Sequence, residues 1–120
     1  PSAVLIQQAC AGPSWTAEID GRPIGCAGVV IPWPGVGMAW MVLSEEIEGH
    51  GLWLCKTVIA FLSETVNRYN LHRLEAVALV ESARNQYWLE RMGFHVEQQG
   101  IARQFLADRR SVVRYEWIKE

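Results

Sequence analysis

The stretch from Arg73 to Phe94 constrains the fold of this 120-residue chain more than any other part of it. Arg73–Val80 is mostly apolar and has the length of a buried strand. After Ser82 the apolar residues recur at helical spacing, which predicts one buried stripe of Ala83, Tyr87, Trp88 and Met92. Gly93 suits a left-handed helix end, after which Phe94 folds back onto the last turn and begins the next strand. Taken alone, this segment also fits an ordinary strand–helix–strand crossover.

The residues before this segment predict an antiparallel meander. Trp15–Ile19 alternates like a strand, Asp20-Gly21 is a favoured two-residue hairpin turn, and Ile24–Ile31 is the partner strand. Pro32–Gly35 predicts a second turn, followed by a third strand at Gly37–Leu43.

The remaining predictions complete the order of elements. Ser2–Ala11 is expected to form a short helix on the core. Leu52–Tyr69 predicts the longest helix, capped by Asn70, with a buried stripe of Leu54, Cys55, Val58, Phe61, Leu62, Val66 and Tyr69. A helix between two strands favours a parallel, adjacent pair. Two closing strands are expected at Phe94–Gln98 and Ser111–Ile118, joined by Ile101–Arg110.

Composition predicts a single domain over residues 1–120 and excludes some functions. A net charge of −2 and a pI near 5.9 argue against a general nucleic-acid or anionic-membrane binder. The chain has no apolar run of 18 residues, the length expected of a membrane-spanning helix. A local basic cluster is interpreted as a solvated hairpin: Arg103, Arg109, Arg110 and Arg114.

The cysteines and histidines predict no metal site. Cys10, Cys26 and Cys55 are far apart in sequence and lack the paired spacing of zinc ligands, so free thiols are expected. The histidines are equally scattered, at positions 50, 72 and 95.

With this order of elements, three motifs resemble the GCN5-related N-acetyltransferase (GNAT) superfamily from about Trp15 onward, and most of all its small, divergent bacteriophage members. Leu89–Phe94 resembles the family's Tyr-x-x-x-Gly-Phe ending of its last helix. Glu48–Trp53 falls where the family has a glycine-rich loop, and Asp20-Gly21 matches its hairpin turn. The resemblance implies an α+β (α/β/α) fold, with a mostly antiparallel mixed sheet, a central parallel strand pair and packed helices. It also implies that the family's first strand and most of its first helices would lie before Pro1.

The resemblance implies acetyl-CoA as cofactor and a site between the third and fourth strands. Backbone groups of Met41, Val42 and Leu43 would hold the pantetheine arm. The start of the long helix, at Gly49, His50, Gly51 and Leu52, would aim N–H groups at the pyrophosphate, where the helix dipole also favours an anion.

The chain departs from the family pattern at three positions. Glu48 stands where the family usually has a basic residue, and its carboxylate would repel a pyrophosphate. Trp53 replaces a small residue. Leu89 stands at the frequent tyrosine position, so the usual acid that protonates the departing thiolate is absent.

Three carboxylates are candidates for the base that takes the ammonium proton. Glu81, at the end of the fourth strand, is the better placed. Glu75 alternates with Val77 and Leu79, so apolar neighbours are expected to raise its pKa. Glu46, beside Glu45, follows the third strand near the presumed cleft.

Two classes of function remain open. The first is acetyl-CoA-dependent N-acetyl transfer to a small amine or to a protein amino group. The second is a non-catalytic domain of a phage protein that binds a host or virion protein, with Trp33 and Trp117 as exposed anchors. The expected location is the cytoplasm, or the virion for a phage protein, and pairing of strands across a homodimer is left open.

Overall fold

A computed structural model describes residues 12–44 and 49–120. Within these ranges the chain forms six strands and two helices, and the predicted helix at Ser2–Ala11 lies outside the described residues. The elements are β1 Ser14–Ile19, β2 Arg22–Trp33, β3 Val36–Leu43, α1 Gly51–Tyr69, β4 Arg73–Leu79, α2 Ala83–Arg91, β5 His95–Ala102 and β6 Val112–Ile118.

The six strands form one mixed sheet in the order β1-β2-β3-β4-β6-β5. The β3–β4 pair is parallel, and the other four neighbouring pairs are antiparallel. This arrangement confirms the predicted fold class, including the parallel pair on either side of the long helix.

The first hairpin is confirmed in detail. Asp20 and Gly21 both have positive φ, 51° and 78°, as a two-residue turn that matches the twist of the flanking strands requires. The second turn is shorter than predicted: β2 continues to Trp33, and only Pro34 and Gly35 make the turn. The side chain of Trp33 is 62% exposed, so this end of the strand projects into solvent.

Helix α1 ends as predicted, but its buried stripe differs at one end. Asn70 is left-handed, with φ 54°, and its N–H donates to the carbonyl of Val66. Tyr69 is exposed rather than buried, because the stripe ends one turn earlier. Thr65 is buried there instead, and its hydroxyl donates to the carbonyl of Phe61 at 2.8 Å.

Helix α2 turns a different face to the core than predicted. Ala83 and Tyr87 are exposed, whereas Trp88 and Leu89 are half-buried and Met92 is buried. A stripe with i, i+1 and i+4 spacing starting at Trp88 places Tyr87 about 150° away from its middle. The helix end is confirmed: Gly93 has φ 98°, and the N–H of the buried Phe94 donates to the carbonyl of Leu89.

The last two strands differ from prediction in length. Strand β5 continues to Ala102, through residues expected to lie in a connection, with an irregular register between Val96 and Ile101. The predicted polar turn at residues 107–110 is present between β5 and β6.

Both helices cover the same face of the sheet. Side chains of α1 and α2 form one core with alternate residues of the strands, such as Val29, Leu74 and Tyr115. In the described part of the chain, the opposite face carries exposed apolar side chains from three strands, namely Met38, Val42, Val77 and Ile118. Neither described helix is both long and apolar enough to cross a membrane.

The two parallel strands are held together at one end, next to the second turn. The carbonyl of Gly35 accepts hydrogen bonds from the N–H groups of His72 and Arg73, at 2.8 and 3.2 Å. Gly35 has φ 89°, and a Cβ there would collide with the ring of His72. This end of the strand pair therefore depends on close backbone approach.

Replacing Gly37 by Ala is expected to lower the free energy of unfolding by about 1–3 kcal/mol, because the site is already filled. A Cβ on Gly37 would lie 2.6 Å from Val29 Cγ1 and 3.0 Å from Leu71 Cδ1 and Leu74 Cδ2. Urea unfolding measures the change. The neighbouring Met38→Leu is the control, because Met38 is exposed on the other face. Equal stability of Gly37→Ala and wild type would contradict this packing.

Tyr115 should make the fold sensitive to alkali. Burial, with a further contribution from the charge of Glu90, raises the pKa of Tyr115 above 10.0. In the unfolded chain the phenol ionises near its ordinary pKa, so stability is complete below that pH and is lost as pH rises toward the folded pKa. Urea midpoints between pH 8 and pH 11 should fall less steeply in Tyr115→Phe than in wild type. The exposed Tyr69→Phe is the control, and an identical slope in all three proteins would refute the assignment.

Candidate functional site

The candidate site begins where β3 and β4 separate. The strands pair at three positions only, Val36 with Arg73, Gly37 with Leu74 and Met38 with Glu75. Each strand continues beyond the last pair, still bonded to its other neighbour, β2 or β6. The two strands therefore diverge toward their C-terminal ends and leave a V-shaped cleft in the sheet.

Backbone polar groups line both edges of this cleft. The N–H of Ser44 donates to the carbonyl of Ile24 in β2, so the alternation of an antiparallel ladder directs Ala39, Met41 and Leu43 toward the cleft. The same alternation turns the backbone of Val42 toward β2. On the facing strand, the N–H of Val80 donates to Ser111, so Val77 turns its backbone groups toward the cleft.

A cavity of about 370 Å³ occupies the cleft and continues beneath the helices. Consecutive residues of both strands line it, Trp40 and Met41 in β3 and Ala76 and Val77 in β4, so the cavity reaches the edges along which the two strands diverge. Its helix side consists of Val58, Phe61, Leu62, Trp88, Leu89 and Met92.

Helix α1 begins beside Trp88, a residue of the cavity wall. His50 precedes the helix without a side-chain hydrogen bond to its first turn, and that turn contains no acidic residue. Gly49 has φ 84°, with open space where a Cβ would lie. At Gly51, by contrast, a Cβ would lie 2.6 Å from the ring of Trp88, so this glycine admits the indole of α2. Leu52 and Trp53 are exposed, at 64% and 47%.

The first turn of α2 supplies the polar side chains of the cavity. Ser82, Arg84 and Asn85 line it, and the Ser82 hydroxyl accepts a hydrogen bond from the N–H of Asn85 at 3.3 Å. Gln86 donates to the carbonyls of Leu79 and Val80, at 2.9 and 2.8 Å, and so ties this turn to the end of β4.

The predicted base candidates do not meet at the cavity. Glu46 lies outside the described residues, as does Glu48. The side chain of Glu81 is 69% exposed and lies 3.7 Å from the guanidinium of Arg110. Glu75 lies on the face of the sheet opposite the two described helices, 2.8 Å from Arg73. Neither Glu75 nor Glu81 belongs to the cavity wall.

The prediction that Glu75 lies among apolar side chains is wrong. Arg73 contacts three carboxylates, at 2.8 Å in Glu75, 2.6 Å in Glu97 and 3.5 Å in Glu116. Burial alone would lower the pKa of Arg73, but the hydrogen bond with Glu75 and the three negative charges raise it. Glu97 also forms an ion pair with Arg114 at 3.3 Å, so the cluster joins β4, β5 and β6.

Most of the cavity wall was not predicted from the sequence, including Ser82, Asn85, Trp88 and Trp40. A signal existed for Ser82, which has the residue type and position of a helix N-cap at the end of a strand. Trp40 had no such signal, because its position depends on where the strands separate. Its indole Nε1 is buried and has no hydrogen-bond partner among the described residues.

Comparison with known proteins yields structural but not sequence relatives. No protein-family model matches the chain, and no curated protein matches its sequence. Ard1 from Thermoplasma volcanium superposes on all of this chain and 80% of its own with a TM-score of 0.84, at 12% identity. The ribosomal-protein-S5-alanine acetyltransferase of Vibrio fischeri superposes on 99% of this chain and 68% of its own, with a TM-score of 0.78 at 19% identity.

A third similar structure contains a ligand. It is a GNAT family acetyltransferase from Elizabethkingia anophelis with acetyl-CoA bound. It covers 98% of this chain and 83% of its own, with a TM-score of 0.76 at 15% identity. These superpositions cover nearly the whole chain, including the six-stranded sheet with its diverging β3–β4 pair. The chain therefore has the fold of the GNAT acetyltransferases.

Proposed function

We propose that this chain is an N-acyltransferase that moves an acetyl group from acetyl-CoA to an amine of a small molecule or a protein. The observation that carries the proposal is the cleft between β3 and β4. It combines unpaired backbone edges with a cavity that both strands line. A thioester held along one strand edge can therefore meet an amine within the same cavity.

The backbone of β3 is suited to hold the pantetheine arm. The arm contains two amides, and an extended amide chain can hydrogen-bond an exposed strand edge. Met41 and Leu43 turn their N–H and C=O groups to the cleft, so they are the better candidates for this contact. Val42, which shares the segment, bonds to β2 and would act only by fixing the register.

The start of α1 is suited to the pyrophosphate. The first N–H groups of a helix have no partner within it, and the helix dipole favours an anion there. Gly49, His50 and Leu52 would contribute backbone donors, while Gly51 allows Trp88 to pack beside them. Arg84, on the cavity wall, adds a positive charge.

The transfer reaction needs little from the side chains beyond positioning. The amine nitrogen attacks the thioester carbonyl and forms the C–N bond. The tetrahedral intermediate then expels the CoA thiolate as the C–S bond breaks. The ammonium proton passes to a carboxylate or to water. We retain Glu81 as the first candidate for this carboxylate because it lies at the C-terminal end of β4. Glu75 is the second candidate, and Glu46 the third.

A second candidate function is a non-catalytic domain that binds a host or virion protein. The observation favouring it is the exposed apolar surface on the face of the sheet opposite the two described helices, together with the exposed Trp33. Trp117 does not contribute to this surface as expected, because it packs against the core. Such a domain would bind its partner whether or not acetyl-CoA is present.

Acetyl-CoA at about 100 times its dissociation constant is expected to raise the free energy of unfolding by about 2.7 kcal/mol, because it binds only the folded chain. For a domain of this size the melting temperature should rise by several degrees. Thermal unfolding with and without the cofactor measures the shift. ATP is the control ligand, since it offers phosphates without a pantetheine arm. No shift at millimolar acetyl-CoA, or an equal shift with ATP, would favour the second function.

Replacing Glu81 by Gln is expected to lower kcat by roughly a hundredfold, because the variant cannot accept the ammonium proton. Release of the CoA thiol, followed over a panel of amines, measures turnover. Calorimetric titration should give an unchanged acetyl-CoA affinity. Glu64→Gln on the exposed face of α1 is the matched control. A wild-type rate in Glu81→Gln would remove this residue as the base.

A further inference from the structure

The cavity is divided by chemistry into a polar and an apolar part. Three polar side chains, Ser82, Arg84 and Asn85, lie at the N-cap and in the first turn of α2, and the indole Nε1 of Trp40 is a buried polar group on the sheet. Away from that turn, the wall is mostly apolar, and several of its residues are almost completely hidden from solvent. Examples are Leu62 at 8%, Met92 at 9% and Phe94 at 2% exposure.

Small residues on the sheet create this apolar part. Ala39 and Ala76 face each other across the cleft, and Ala27 extends the floor to β2. Larger side chains at these positions would reach the helices and fill the space. Protein interiors are otherwise packed with few voids larger than a water molecule, and empty apolar volume lowers stability. An apolar space of this kind is therefore suited to an apolar ligand group.

The size of the cavity exceeds what an acetyl group requires. An apolar cavity of about 150 Å³ is enough to bind benzene, which has six carbons. The cavity here is about 370 Å³, and the β3 edge along which a pantetheine arm would lie forms only one of its sides. Room remains for several carbons beyond the two of an acetyl group.

We propose that the acyl donor is a medium-chain CoA thioester, with an acyl group of about four to eight carbons, and that its chain occupies the apolar part of the cavity. The inference rests on the proposed function, with acetyl-CoA as a shorter and more weakly bound donor for the same site. The reaction is unchanged: the amine forms a C–N bond with the acyl carbonyl, the C–S bond breaks, and CoA leaves as the thiolate.

Calorimetric titration of the whole chain with CoA, acetyl-CoA, butyryl-CoA and hexanoyl-CoA tests this inference. Each buried methylene should tighten binding about fourfold, so hexanoyl-CoA should bind up to about 200-fold more tightly than acetyl-CoA. Equal affinities for the acetyl and hexanoyl thioesters would overturn the inference while leaving the proposed function intact. Failure of CoA and all three thioesters to bind would overturn the proposed function, and the inference with it.

A pair of matched variants tests whether the acyl chain binds in the cavity or on the exposed apolar surfaces, which could also attract a long acyl chain. Ala76→Leu fills the floor of the cavity and should reduce the hexanoyl-to-acetyl affinity ratio to about one. Ala60→Leu adds the same side chain on the exposed side of α1 and should keep the wild-type ratio. An unchanged ratio in Ala76→Leu would place the chain outside the cavity and overturn the inference. If circular dichroism shows that Ala76→Leu does not fold, the half-buried Ala39→Val is measured in its place, with the same two outcomes.

Discussion

The separation of β3 and β4 after three residue pairs is the constraint on which the rest of the structure depends. Two sets of interactions compete for these strands. At the Gly35 end, backbone hydrogen bonds and the packing of Val29, Leu71 and Leu74 around Gly37 hold them together. Beyond Met38 each strand follows its own antiparallel partner, and an antiparallel pairing is slightly more stable per residue than a parallel one. The cleft, its exposed backbone groups and the cavity all result from this competition.

Local signals in the sequence were enough to predict most of the elements. The Asp20-Gly21 turn and the Gly93 helix end were predictable because each depends on backbone angles that few residues adopt. The buried face of α2 could not be predicted in this way, because a nine-residue helix has too few turns to distinguish a buried stripe through Tyr87 from one through Leu89. Glu75 was placed on the correct strand, but its partner Arg73 also binds Glu97 and Glu116, which come from β5 and β6, and no local pattern encodes the register of those strands.

Gly51 shows why the site was harder to predict than the fold. Glycine at the start of a helix permits close approach of whatever lies beside it, and the residue alone does not identify that neighbour. In the structure the neighbour is the ring of Trp88, which joins the first turn of α1 to the middle of α2. The positions of the two helices are therefore coupled, and a ligand that moved one helix would have to displace this contact.

Leu89 connects the chemistry of the site with its shape. At the position where the resemblance implies a tyrosine, the chain has a side chain without a proton donor, and that side chain lies on the cavity wall. A thiol has a pKa near 8.5, so a CoA thiolate leaving at neutral pH can take its proton from water without a dedicated acid. A tyrosine hydroxyl at the same place would put a polar group, which needs a hydrogen-bond partner, into the apolar part of the cavity. Leu89 therefore provides no general acid at this position, and the same side chain keeps the cavity wall apolar and suited to a hydrocarbon chain.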